Sequence, residues 1–332
     1  GMGLKKFFFG LKHVPRALEF LRNEIDIFNP DVIQINGPNI PSALAIMSQT
    51  VRSYPTVCFI EAYWENILKD QKNIPFLIRL FLPLWYRLVY KVFTCYSGTP
   101  SLNLEFYEQL GMDPDKISSW IQHYDSRRMD EVNREDAPAS VQRATGPRIL
   151  FVGRLHPEKL GLDALRIFAK AVGEDLPGTL IFVGDGDERQ RIERKAKSLG
   201  IHDRIVITGL IKHKEVMATM KAADYSIATM QGSALLESLA AGLATVAYDH
   251  ETHRALIRDK ENGFLVSHRD VDGAAKVLRQ LLSSEVLTEQ VQRKALSSIE
   301  EQFNYSKVKS ILYQPFIKAM NANRKNKKNG AW

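Results

Sequence analysis

Gly232 and Ser233 stand where a helix would begin, ahead of Leu235, Leu236, Leu239, Ala240 and Leu243 at helical spacing. A helix opening on a Gly-Ser turn presents free backbone N–H groups and the positive end of its dipole, which holds phosphate without a metal. Glu237, one turn further in, is close enough to accept hydrogen bonds from a ribose. Arg154 follows Gly153 at the end of a predicted strand, and its fixed charge and planar fork suit a diphosphate. Lys159 supplies a second cation. Taken by itself the stretch also reads as an ordinary buried helix with one charged residue, and both cations also read as surface ion-pair partners. The string GDGDER holds Asp185-Gly186-Asp187, which superficially resembles a metal-binding pair. It reads better as a glycine-rich turn that lets backbone approach a cleft, and no GxGxxG fingerprint accompanies it.

The elements that must position these groups alternate. A short apolar run, KKFFFG, and a helix open the chain, and DVIQING, PTVCFIE, VFTCYSG and KISSWIQ follow as strands. RILFVG, GTLIFVG, RIVITG, ADYSIA, ATVAYD and GFLVS form a second series, with helices between them. Strands alternating with helices predict parallel sheets with ligands beyond the strand ends, and hence a two-lobed α/β protein with Rossmann-like lobes. The predicted divisions are a first lobe at 2–130, a linker at 131–147 where apolar periodicity lapses, and a second lobe at 148–306. A helix at 307–320 returns to the junction, and a basic disordered tail fills 321–332.

A length of 332 residues suits two domains, and 45% apolar with 25% charged residues is the balance of a globular protein. Cys58 and Cys95 lie in apolar runs, as buried thiols in a reducing compartment do, and no secretion signal precedes them, so a cytoplasmic location is expected. The formal charge of +7 calls for an acidic partner. Nucleic acid is not expected, because no motif with interleaved aromatics accompanies the basic residues. The segment Asn73 to Phe93 is the most apolar, yet Arg79, Pro83, Arg87 and Lys91 interrupt it. It suits a helix peripheral to an anionic membrane surface, at its inner face, or else a core helix broken at Pro83 with snorkelling cations.

Four stretches in order, VGRLHPEKLGLDAL, IFVGDGDERQRIE, RIVITGLIKHKEV and GSALLESLAAGLATVA, resemble the retaining glycosyltransferases of family 4, which have the GT-B fold. ENGFLV and FNYSKV add to the likeness. The resemblance implies a hexosyltransferase-type enzyme that moves a sugar from a nucleotide-diphosphate sugar to a glycan or lipid-linked acceptor, with retention, without metal and with no cofactor beyond that donor. It implies donor binding by Gly153, Arg154, Lys159, Thr229, Gly232, Ser233 and Glu237, the last holding the ribose.

The sequence departs from the family at several points. Thr229 stands where the family places a glutamate eight residues before the second; its hydroxyl can bond a sugar but carries no charge. An alternative alignment sets Leu160 in place of Lys159. Glu61 stands where the family often has a histidine and is the candidate catalytic group that orients or deprotonates the acceptor, with pairing to Lys69 or a loop N–H as the alternative. The first lobe is expected to be shortened by at least one βα unit, at roughly 30 residues per βαβ unit. Its exposed sheet edge favours a homodimer or a second chain completing the lobe. Two other readings remain, a non-catalytic GT-B-like subunit or partner protein and a nucleotide-sugar epimerase.

Overall fold

The computed structural model describes residues 2–36, 46, 48–60, 84, 88, 91–98, 107, 111–119, 122–125 and 127–328; of 2–14, 60, 251 and 324–328 it describes the backbone alone. The chain forms two compact units, Gly1–Ile121 with Lys309–Trp332, and Gln122–Val308.

The first unit opens with helix α1 (Met2–Phe28), so the run KKFFFG is helical. Strands β1 (Ile33–Asn36), β2 (Thr56–Ile60), β3 (Cys95–Gly98) and β4 (Ile117–Ser119) follow where the apolar runs predict them. They pair in the order β1-β2-β3-β4, all parallel. Ile35, Cys58, Tyr96 and Tyr107 lie in one cluster against the buried Ile25 of α1, and the Tyr107 hydroxyl donates to the Ser97 carbonyl at 3.1 Å.

In the second unit β5 (Arg148–Val152), helix α2 (Gly161–Val172), β6 (Thr179–Val183), helix α3 (Arg189–Ser198), β7 (Ile205–Ile207), helix α4 (His213–Ala222) and β8 (Tyr225–Ala228) alternate. Helix α5 (Ser233–Ala240), β9 (Ala244–Tyr248), β10 (Phe264–Val266) and helices α6 (Val271–Leu282) and α7 (Glu285–Ser298) complete it. The parallel sheet has the order β10-β9-β8-β5-β6-β7. Because side chains alternate across a strand, Ile149, Phe151, Leu180 and Phe182 enter a core with Leu165 and Phe168 of α2. Leu150, Ile181 and Val183 enter the opposite one with Ala218 and Met220 of α4.

The passage expected to be a linker belongs to this unit. It forms a short helix, Ala139–Gln142, and buries Val132, Ala137 and Val141; three unevenly spaced anchors among charged residues leave no periodicity to read. Helix α8 (Tyr305–Lys328) then carries the chain from this unit back to the first, where Ala319 packs with Val57 and Cys95. Its Lys318 ammonium donates to the Asp115 and Ile117 carbonyls, each at 3.1 Å. Where a disordered tail was expected from residue 321, the helix continues to Lys328.

Candidate functional site

The strand order of the second unit reverses between β5 and β8, which pair in parallel through Ile149 with Tyr225 and Leu150 with Ser226. Beyond the carboxyl ends of two strands at such a switch point, the loops diverge and leave a crevice. The loop after β5 carries Gly153, Arg154 and Lys159, and the loop after β8 carries Thr229, Gly232 and Ser233, so the sequence-predicted donor residues gather at one edge.

The β5 loop is fixed by its neighbour after β6. The Gly153 amide donates to the Val183 carbonyl at 3.0 Å, that of Leu155 to Asp185 at 2.9 Å, and that of Glu188 back to Leu155 at 2.8 Å. The two backbones run so close that a Cβ on Gly184 would stand 2.1 Å from the Gly153 carbonyl oxygen, and one on Gly186 2.5 Å from that of Leu155. This is why GDG occupies the turn. Asp185 is used within it, accepting from the Gly186 amide at 2.8 Å and from Arg189 at 2.9 Å, and these bonds hold its carboxyl below the usual range. Among the described residues no three His, Cys, Asp or Glu side chains gather as a metal site would need.

Lys159 joins the two sides of the crevice. Its ammonium donates to the Met230 carbonyl at 2.9 Å, and its own carbonyl accepts from the Thr229 hydroxyl at 2.6 Å. Leu160 is buried in the hydrophobic core, so Lys159, and not Leu160, is the side chain that reaches the loop. Thr229 is fully buried and fastens two loops, so it offers no hydroxyl to a sugar, contrary to the sequence expectation. Arg154 is exposed and makes no ion pair or side-chain hydrogen bond among the described residues. Helix α5 begins at Gly232 with no side-chain cap on its first amides, of which that of Leu235 donates to the Gly232 carbonyl at 3.0 Å. Glu237, largely covered, meets the exposed His213 at the start of α4, with Oε1 2.9 Å from Nε2. Glu61, the candidate acceptor-side residue, lies outside the described residues.

Three further side chains border this edge, and nothing in the sequence pattern marks them. Gln231 is buried, with Oε1 accepting from the Met230 amide at 2.9 Å and Nε2 without a partner among the described residues. His253 is fully buried between the Tyr248 and Gln231 carbonyls, each at 2.8 Å. Burial lowers the pKa of His253 and, with the neighbouring His253 charge, that of His250. Tyr124 has a buried hydroxyl with no partner among the described residues, and its pKa is raised by burial and by the charge of Glu237.

The sequence profile of the glycosyl transferases group 1 family matches residues 132–298, half of the chain. The chain belongs to the group 1 glycosyltransferases. It is similar to the exopolysaccharide phosphotransferase of Streptomyces coelicolor, 33% identical over 156 residues that cover 46% of this chain and 16% of that protein. It is similar also to the phosphatidyl-myo-inositol mannosyltransferase of Mycobacterium leprae, 32% identical over 168 residues, 48% of this chain and 44% of that one. The matched stretches thus span less than half of either relative. The crystal structure of Anabaena HepE in complex with UDP superposes with a TM-score of 0.70 at 16% identity, covering 91% of this chain and 80% of that one, a likeness of fold. The GT-B fold, two Rossmann-like α/β lobes, is the architecture that these sheets and this likeness give.

Proposed function

We propose that the second unit binds a nucleotide-diphosphate sugar over the start of α5 and that the chain transfers the sugar, with retention and without a metal or further cofactor, to a glycan or lipid-linked acceptor. One observation carries this reading: Lys159 reaches from the end of β5 to the loop before the uncapped start of α5, across the sheet's switch point. A diphosphate seated there meets open amides, Arg154, which is unpaired among the described residues, and the remaining N–H donors of Lys159. Departure of the nucleotide leaves negative charge on its phosphate, and donors already aimed at that place stabilise the charge as it develops. Glu237 accepts from the ribose hydroxyls in this reading, which its contact with the His213 ring supports.

The likeness to a phosphatidyl-myo-inositol mannosyltransferase supports a lipid-linked acceptor. So does the exposure of Leu84 and Leu88, at 57% and 60% and four residues apart within the basic and aromatic segment, which suits peripheral contact with an anionic membrane at its cytoplasmic face. No helix among the described residues is long and apolar enough to cross a membrane. A homodimer, or a second chain on the first sheet, remains part of the proposal.

Calorimetry against UDP, GDP and ADP tests the donor site, and hydrolysis or transfer assays with the matching sugar nucleotides test the reaction. One nucleotide binds, and chelation leaves turnover unchanged; a folded protein that binds none of the three sinks the reading. Sedimentation with vesicles containing anionic lipid tests the membrane contact, which no co-sedimentation would remove.

A second reading is favoured by Thr229, whose buried hydroxyl leaves the place of the expected carboxylate without charge. A subunit that binds the nucleotide but performs neither hydrolysis nor transfer would match it.

A further inference from the structure

The loop between β8 and α5 is held from two sides by basic side chains that take its carbonyls. Lys159 takes the Met230 carbonyl, and His253, from the short helix Glu251–Arg254 after β9, takes that of Gln231 at 2.8 Å. With both oxygens engaged, the two peptides leading into α5 are fixed in orientation, and with them the Gly232 amide at the helix start. The other ring nitrogen of His253 meets the Tyr248 carbonyl, also at 2.8 Å. A carbonyl oxygen only accepts, and a neutral imidazole carries a single N–H. One of the two contacts is therefore a lone pair against an oxygen unless the ring holds both protons.

The surroundings set when the second proton arrives. Burial opposes it, as do Lys159 from the β5 loop and His250, whose ring centroid lies 5.8 Å away; Asp249 after β9 favours it. In the ligand-free protein the balance lies below the ordinary imidazole range. A diphosphate over the start of α5 brings negative charge beside Gln231 and shifts that balance toward the cation.

We propose that His253 is a positioning residue of the donor site, taking up a proton as a nucleoside diphosphate binds and clamping the Gln231 carbonyl so that the loop amides stay aimed at the phosphates. The proposal rests on the donor reading above.

The test is calorimetry with whichever of UDP, GDP and ADP binds, near pH 7, in two buffers of different ionisation enthalpy. The wild-type chain takes up as much as about one proton per nucleotide, and its affinity rises by up to roughly tenfold per pH unit as the pH falls. H253Q, which cannot become a cation, loses the uptake and binds about tenfold more weakly. H250Q keeps the uptake, which separates the two neighbouring rings. Should H253Q fail to fold, ring 15N shifts of the wild-type histidines serve instead. Two ring nitrogens becoming alike in one buried histidine on adding nucleotide is the expected result, and a neutral pattern that persists overturns the proposal. Binding without uptake, or uptake that survives in H253Q or vanishes in H250Q, also overturns it while leaving the donor site standing. Binding of no nucleotide by the folded wild type removes both.

Discussion

Arg154 and Lys159 are both cations of the β5 loop, yet they touch different things, and substitution separates them. Arg154 has no partner to lose among the described residues. R154A is expected to weaken nucleotide binding by about tenfold or more, the worth of a charge-assisted hydrogen bond, and to leave the unfolding midpoint in place. Lys159 holds a carbonyl of the facing loop. K159M keeps most of the stem but leaves the Met230 oxygen without its donor, so it lowers stability by about 1–3 kcal/mol in denaturant unfolding and weakens binding as well. Equal losses of stability in the two variants would contradict this assignment. For Glu237, E237A is expected to raise the donor Kd about tenfold, because the ribose hydroxyls lose an ionised acceptor.

The loops that carry these side chains keep their places through backbone contacts, and here glycine decides. G184A must move a carbonyl that stands 2.1 Å from the new Cβ, and G186A one at 2.5 Å. Each is expected to cost at least about 2 kcal/mol in chemical unfolding and to abolish nucleotide binding, since the distortion reaches Arg154 through the Leu155 bonds. The half-buried His250 and the buried His253 after β9 add a pH dependence. His250 and His253 have lowered pKa values in the folded chain, so below the unfolded value of 6.5 the unfolded state binds more protons. Stability is full above that pH and falls as the pH drops toward the folded values, a loss that H253Q reduces in ligand-free unfolding. The strands of both sheets could be read from β-branched runs, and the start of α5 from Gly232, Ser233 and the apolar spacing behind them. Residues 131–147 could not, because Val132, Ala137 and Val141 are too few and too unevenly spaced among polar residues to mark their burial. His253 was invisible for a different reason: its partners are main-chain carbonyls at Tyr248 and Gln231, and backbone groups leave no residue-type signature. The Thr229 hydroxyl was misjudged because only the fold brings the Lys159 carbonyl to it.

At the scale of the whole chain, the first unit depends on the last segment of the sequence. Ala319 of α8 is fully buried with Val57 and Cys95. The thiols nearby report on that packing, since burial pushes Cys58 up to about 12 and Cys95 to about 11. Thiolate is the reactive form, so neither residue is expected to alkylate with iodoacetamide at pH 8 while the unit is closed. A319R drives a charge into the contact at a cost of about 3 kcal/mol. The open state of the first unit then gains population by roughly a hundredfold, and alkylation speeds up by the same factor when opening is fast. The second unit has its own cores and its site lies wholly within Gln122–Val308, so nucleotide affinity in A319R stays within about twofold of the wild type. Labelling that accelerates together with a loss of nucleotide binding would mean that the two units open as one.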